Sequence, residues 1–118
     1  MIAGIGIDLV EISRVQKALR RQKRFPERIL TEREREKYED LQPPRQVEFL
    51  AGRFAAKEAY AKAAGTGIGA HVSWQDIEVI ADENGRPLMK VKGSDVRIHV
   101  AVTHTEHYAA AQVVIENP

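Results

Sequence analysis

The apolar positions change period along the chain, and each change predicts an element. In "IAGIGID" (residues 2–8) the side chains alternate, with Ile5 and Ile7 on one face and Gly4 and Gly6 on the other. This predicts a strand, and glycine inside a strand marks close approach of another backbone or a ligand. From about Glu11 to Arg24 the period becomes helical. Ile12, Val15 and Leu19 share one face, and Arg14, Lys17, Arg21 and Arg24 share another nearly opposite. "TERE" (31–34) is a capping-box pattern, opening a short polar helix that ends before Pro43 and Pro44. A longer helix follows from about Arg45 to Ala64 and stops at "GTGIG" (65–69), with Gly65 as its C-terminal cap. The second half is strand-like. "DIEVIAD" and "LMKVK" flank a turn built on Asn84-Gly85, "VRIHVAV" alternates with Val96, Ile98, Val100 and Val102 on one face, and "YAAAQVVIE" closes the pattern after a hairpin loop "HTEH". One strand, three helices and about four strands predict an α+β fold, an antiparallel sheet with helices packed on one side.

The length of 118 residues suits one domain over 1–118 with a modest core, for which association is a natural source of further buried area. An apolar content of 43% and a charged content of 30% argue for a globular protein and against general disorder. A net charge of +1 does not describe a general nucleic-acid binder, so electrostatic targeting must come from local patches. The absence of cysteine excludes disulfides, thiolate metal sites and a cysteine nucleophile. The first residues lack a basic stretch and meet Asp8 early, unlike a signal peptide. No run approaches the ~18 apolar residues of a membrane span. These features lead us to expect a soluble cytoplasmic protein that engages neither membrane nor nucleic acid.

Candidate chemistry centres on "RFAAKEAYAKA" (53–63), an excellent helix former with Glu58 and Lys62 four residues apart. Ordinarily such a pair is a surface salt bridge worth a few tenths of a kcal/mol. The helix face of Glu58, however, is otherwise apolar: Ala51, Phe54 and Ala55. A carboxylate against packed structure needs a partner. Asp8, at the end of the first strand, reads either as an N-cap for the next helix or as a second functional carboxylate. Together, Asp8 and Glu58 would form a hard-oxygen site suited to Mg²⁺, which takes one or two carboxylates along with waters and substrate phosphates. His104, where its strand gives out, is either a surface residue or a phosphate contact. His71, His99 and His107 have no assigned role. "GTGIG" lacks the Lys-Ser/Thr ending of a P-loop, so at most its amides contact a phosphate. Residues 14–24 hold six basic side chains and no acid. That stripe is either a solvated helix face or a docking surface for an acidic partner.

In order, these segments resemble the bacterial holo-acyl-carrier-protein synthases, the small type of 4′-phosphopantetheinyl transferase. The matching motifs are "GIGIDLVEI", "FLAGRFAAKEAYAKA", "GTGIG", "NGRP" and "VTHTEHYAAAQVV", and they span essentially the whole chain. Many relatives carry Ser where Thr103 stands, which keeps the hydroxyl. The resemblance implies transfer of the 4′-phosphopantetheine arm of coenzyme A to a serine of apo acyl carrier protein, releasing adenosine 3′,5′-bisphosphate. It places Asp8 and Glu58 at Mg²⁺-binding positions, Lys62 at the pyrophosphate and His104 at a phosphate. It places Arg53, Gly65 and Thr66 of "GTGIG", and Gly85 and Pro87 of "NGRP" around the nucleotide, and Arg14, Arg21 and Arg24 on the helix that docks the carrier. It also implies a homotrimer with sites between subunits. Apart from the resemblance, the chain also fits a non-enzymatic module whose basic first helix docks an acidic protein or RNA.

Overall fold

The structure is a computed structural model that describes residues 1–117. The first strand, β1 (Ile2–Glu11), leads into α1 (Ile12–Arg21), the single-turn α2 (Phe25–Ile29), α3 (Glu32–Glu39) and the long α4 (Pro43–Ala64). A 3₁₀ turn (Trp74–Asp76) then precedes β2 (Ile77–Ala81), β3 (Pro87–Val91), β4 (Arg97–His104) and β5 (Tyr108–Glu116). All strand pairs are antiparallel, in a three-stranded sheet ordered β1-β5-β4 and a two-stranded hairpin β2-β3 that leans on β4. The expected α+β architecture is present, with α4 lying across one face of the three-stranded sheet.

Several details differ from the sequence reading, among them the division of the strands between two sheets and the run of β1 to Glu11. The first helix stops at Arg21, and residues 25–29 form a separate helix around "FPERI". A proline at the start of a helix is well tolerated because its missing N–H would be unpaired there anyway. Arg24 therefore does not continue the stripe of α1; it is the N-cap residue of α2, and its Nε donates to Glu27 Oε2 at 3.0 Å. Likewise α4 begins at Pro43, with prolines at its first positions, rather than near Arg45.

Local chemistry explains the ends. Thr31 and Glu34 form the capping box of α3. Gly65 ends α4 with φ 75°, its N–H bonded to the carbonyls of Ala61 and Lys62. Strand β1 has two unlike faces. A Cβ on Gly6 would collide with the Ala59 carbonyl oxygen of α4, and one on Gly4 with that of Ala63. Only glycine lets a helix backbone come so close. The opposite face carries Ile5, Ile7 and Leu9, each 60–64% exposed.

Candidate functional site

The close packing of β1 on α4 brings Asp8, Glu58 and Lys62 together. Lys62 Nζ donates to Asp8 Oδ1 at 2.9 Å and to the Ile7 carbonyl at 3.0 Å. The ammonium thus pairs across to the strand rather than with Glu58 one turn back in its own helix. Asp8 is not a cap: β1 continues past it to Glu11, which is the N-cap residue of α1. Asp8 instead lies within the strand, opposite Ala111. Burial, and then the charge of Asp8, push the Glu58 carboxyl above its ordinary value, while Lys62 opposes them. A second carboxylate raises a pKa only when it is near, so the two acids share one electrostatic site with the ammonium beside them.

This arrangement fits a hard divalent cation. Among the described residues no cluster of three or more His, Cys, Asp or Glu side chains exists, so the chain offers two carboxylates and no full cage. Mg²⁺ prefers that partial set, because it keeps waters and takes phosphate oxygens from a substrate. Asp8 and Glu58 line a cavity of about 370 Å³, whose wall is otherwise made by apolar residues, notably Val15, Phe25 and Phe54, and by Arg14.

Arg53 and His104 lie elsewhere. They line a separate cavity of about 310 Å³ with Lys37, Arg45, Glu48 and Phe49. The Arg53 guanidinium carbon sits 4.3 Å from the centre of the Phe49 ring. Arg53 Nε is buried without a hydrogen-bond partner, and burial pulls the guanidinium below its ordinary pKa. His104 Nδ1 is 3.8 Å from Glu48 Oε2, too long for a hydrogen bond. The two cavities share no lining residue, and Gly65, Thr66, Gly85 and Pro87 line neither. Gly85 sits in the β2–β3 turn with φ 82°, and Pro87 opens β3. One chain therefore assembles the carboxylate half of the expected site and keeps the cationic half apart from it.

A match to the family model described as the 4′-phosphopantetheinyl transferase superfamily covers residues 4–113. This chain belongs to that superfamily. It is 57% identical to a holo-[acyl-carrier-protein] synthase of Geobacillus kaustophilus (strain HTA426) over 98% of this chain and 90% of that one. It is 59% identical to one of Bacillus pumilus (strain SAFR-032) over 98% and 97%. A crystal structure of a holo-(acyl-carrier-protein) synthase from Bacillus anthracis str. Ames, in complex with CoA (3′,5′-ADP), superposes with a TM-score of 0.93 at 49% identity, covering 100% of this chain and 99% of that one. The resemblance read from the motifs is borne out along nearly the whole length, and a purely docking module is not favoured.

Sequence reasoning missed the buried ion pair beneath the site. Lys57 is fully buried, and its Nζ donates to Glu34 Oε1 at 2.7 Å, to the Ile29 carbonyl at 2.7 Å and to the Trp74 carbonyl at 3.1 Å. Glu34 also accepts from the amides of Thr31 and Val79. The available signal was a lysine set among the alanines of a buried helix. Lys37 and Arg45 in the cationic cavity were also missed, because nothing in their local pattern separates them from solvated charges.

Proposed function

We propose that this protein transfers the 4′-phosphopantetheine arm of coenzyme A to a serine of apo acyl carrier protein, forming the holo carrier used in fatty acid biosynthesis and releasing adenosine 3′,5′-bisphosphate. The observation that carries the chemistry is the cluster of Asp8, Glu58 and Lys62. The relatives named above carry the substrate assignment.

Phosphoryl transfer depends on positioning and on neutralising charge. Asp8 and Glu58 would hold Mg²⁺, which supplies Lewis-acid neutralisation of the diphosphate. Lys62 leaves Asp8 to bind a diphosphate oxygen. The serine oxygen forms a bond to the phosphorus nearest the pantetheine, the P–O bond to the adenosine-side phosphate breaks, and the electron pair leaves on that phosphate. The serine proton passes to Glu58 or to a bound water. Arg53 and His104 bind the nucleotide phosphates, together with "GTGIG" and "NGRP".

Because the cationic cavity is separate from the carboxylates in one chain, the complete site is built between subunits of a homotrimer. The exposed apolar face of β1 supports that assembly, since soluble monomers rarely leave such a patch uncovered. Arg14 and Arg21 on α1, with Arg24 just beyond it, meet the acidic carrier. The protein works in the cytoplasm; no described helix is long and apolar enough to cross a membrane.

Incubation with coenzyme A, Mg²⁺ and an apo carrier protein, followed by mass spectrometry, tests the proposal. One phosphopantetheine should be added to the carrier. Asp8→Ala and Glu58→Ala should abolish the gain while the proteins stay folded. A folded wild-type protein that adds no mass refutes the activity, and full activity in either variant refutes the site.

A further inference from the structure

Helix α2 is held in place by side chains from distant parts of the chain. Its five residues make little more than one turn, too short to be stable alone. Yet it carries Phe25 in the wall of the Asp8–Glu58 cavity and exposed Arg24 and Arg28 immediately after the basic helix α1, which it contacts. The last carbonyls of a helix have no partner within it. Lys57 meets the Ile29 carbonyl from inside the core. Gln75 meets the others from outside. Its Nε2 donates to the Glu27 carbonyl at 2.8 Å, the Leu30 carbonyl at 2.8 Å and the Arg28 carbonyl at 3.3 Å. A primary amide has two hydrogens, so one of them is shared.

The partner residues lie 45 to 48 positions away in sequence, and Gln75 is an exposed residue of the 3₁₀ turn before β2. It lines a surface cleft of about 480 Å³ with Arg24, Glu27, Arg28 and Arg35. The cleft therefore presents three guanidinium groups against one carboxylate, and the amide of Gln75 is bonded to the backbone that carries two of them.

We propose that Gln75 is a positioning residue for the acidic carrier protein. It clamps the C-terminal end of α2, so that Arg24, Phe25 and Arg28 are held in their binding arrangement before the carrier arrives. Ordering a loose turn on binding costs affinity, and a clamp already in place removes that cost. The inference rests on the proposed docking of the carrier at α1 and α2.

Gln75→Met keeps the length of the side chain and removes both donors. Steady-state kinetics should show the KM for apo carrier protein rising roughly three- to tenfold, the change expected from losing the three hydrogen bonds that the two amide hydrogens of Gln75 make between them. The KM for coenzyme A and the kcat at saturating carrier should stay at wild-type values. Hydrogen exchange should be faster at the amides of Arg28 and Leu30, which bond within this turn, and unchanged through α4. Arg21→Glu serves as the control for the docking reading. If Arg21→Glu raises the carrier KM and Gln75→Met does not, the clamp is refuted and docking stands. An equal rise in the KM for both substrates also refutes the clamp. If Arg21→Glu leaves the carrier KM unchanged, the docking face is wrong and the inference falls with it.

Discussion

Replacing Lys57 by Met should destabilise the protein more than any surface change. The ammonium is fully buried; burial pushes its pKa down and the Glu34 charge holds it up. Met fills most of the volume but donates nothing, so Glu34 keeps a buried negative charge that has lost its directly bonded cation and retains the Thr31 and Val79 amides and the field of the nearby Arg53 guanidinium. Removing one partner of a buried ion pair costs about 3–5 kcal/mol. For 118 residues, unfolding entropy near the midpoint is about 0.25 kcal/mol/K. The midpoint should therefore fall by roughly 12–20 °C. Differential scanning calorimetry reads this directly. The double variant Lys57→Met/Glu34→Gln removes the stranded charge as well and should recover about 1–3 kcal/mol of the loss. A midpoint drop below about 4 °C for Lys57→Met, or a double variant less stable than the single one, would show that the pair contributes through packing and not through its charges.

Glu58→Gln should have opposite effects on stability and activity. The folded protein binds the Glu58 proton more tightly than the unfolded chain does, so stability falls as pH rises through the raised folded pKa and the cost is complete only above it. Without metal, the variant should melt above wild type on the alkaline side of that pKa, with a gap that closes on acidification, while transfer activity is lost; a gap that widens on acidification contradicts the sign. Gly6→Ala should cost about 1–3 kcal/mol, because its Cβ meets helix backbone that cannot step aside. Gly52→Ala, whose Cβ meets only a Val102 methyl at 3.2 Å, should stay within about 1 kcal/mol of wild type. Equal melting losses at the two glycines would refute the close approach of β1 and α4.

Elements with a strong period were legible. The capping box at Thr31, the glycine stop of α4 and the full extent of β5 followed from local chemistry alone. Helix α2 was not, because a single turn carries too few positions to show a period, and the carbonyls at its end are bonded by Lys57 and Gln75 from far along the chain. The site divides in the same way. The odd company of Glu58, a carboxylate among alanines, marked it. Its actual relationships did not appear in spacing: Lys62 reaches across to Asp8, and which acid shifts which depends on how closely β1 lies against α4. The buried Lys57–Glu34 pair was hidden for a related reason. Glu34 already had a sufficient role in the capping box, and nothing local required a second.

Strand β1 links the proposed chemistry to the proposed assembly. Its inward residues, Gly4, Gly6 and Asp8, fix the spacing to α4 and supply one carboxylate. Its outward residues, Ile5, Ile7 and Leu9, form an apolar row beside β5, opposite Val114, Gln112 and Ala110. Because the side-chain period of a strand is two, a register slip of one residue would exchange these faces. It would send Asp8 outward and drive isoleucine into the helix backbone. The register that admits α4 thus also sets the carboxylate beside Lys62 and leaves the apolar row exposed. Covering that row with a second subunit would hold β1 against α4 from its other side. On this reading the small core and the divided site have a common physical origin, since the surface the chain leaves uncovered is the back of the strand that carries Asp8.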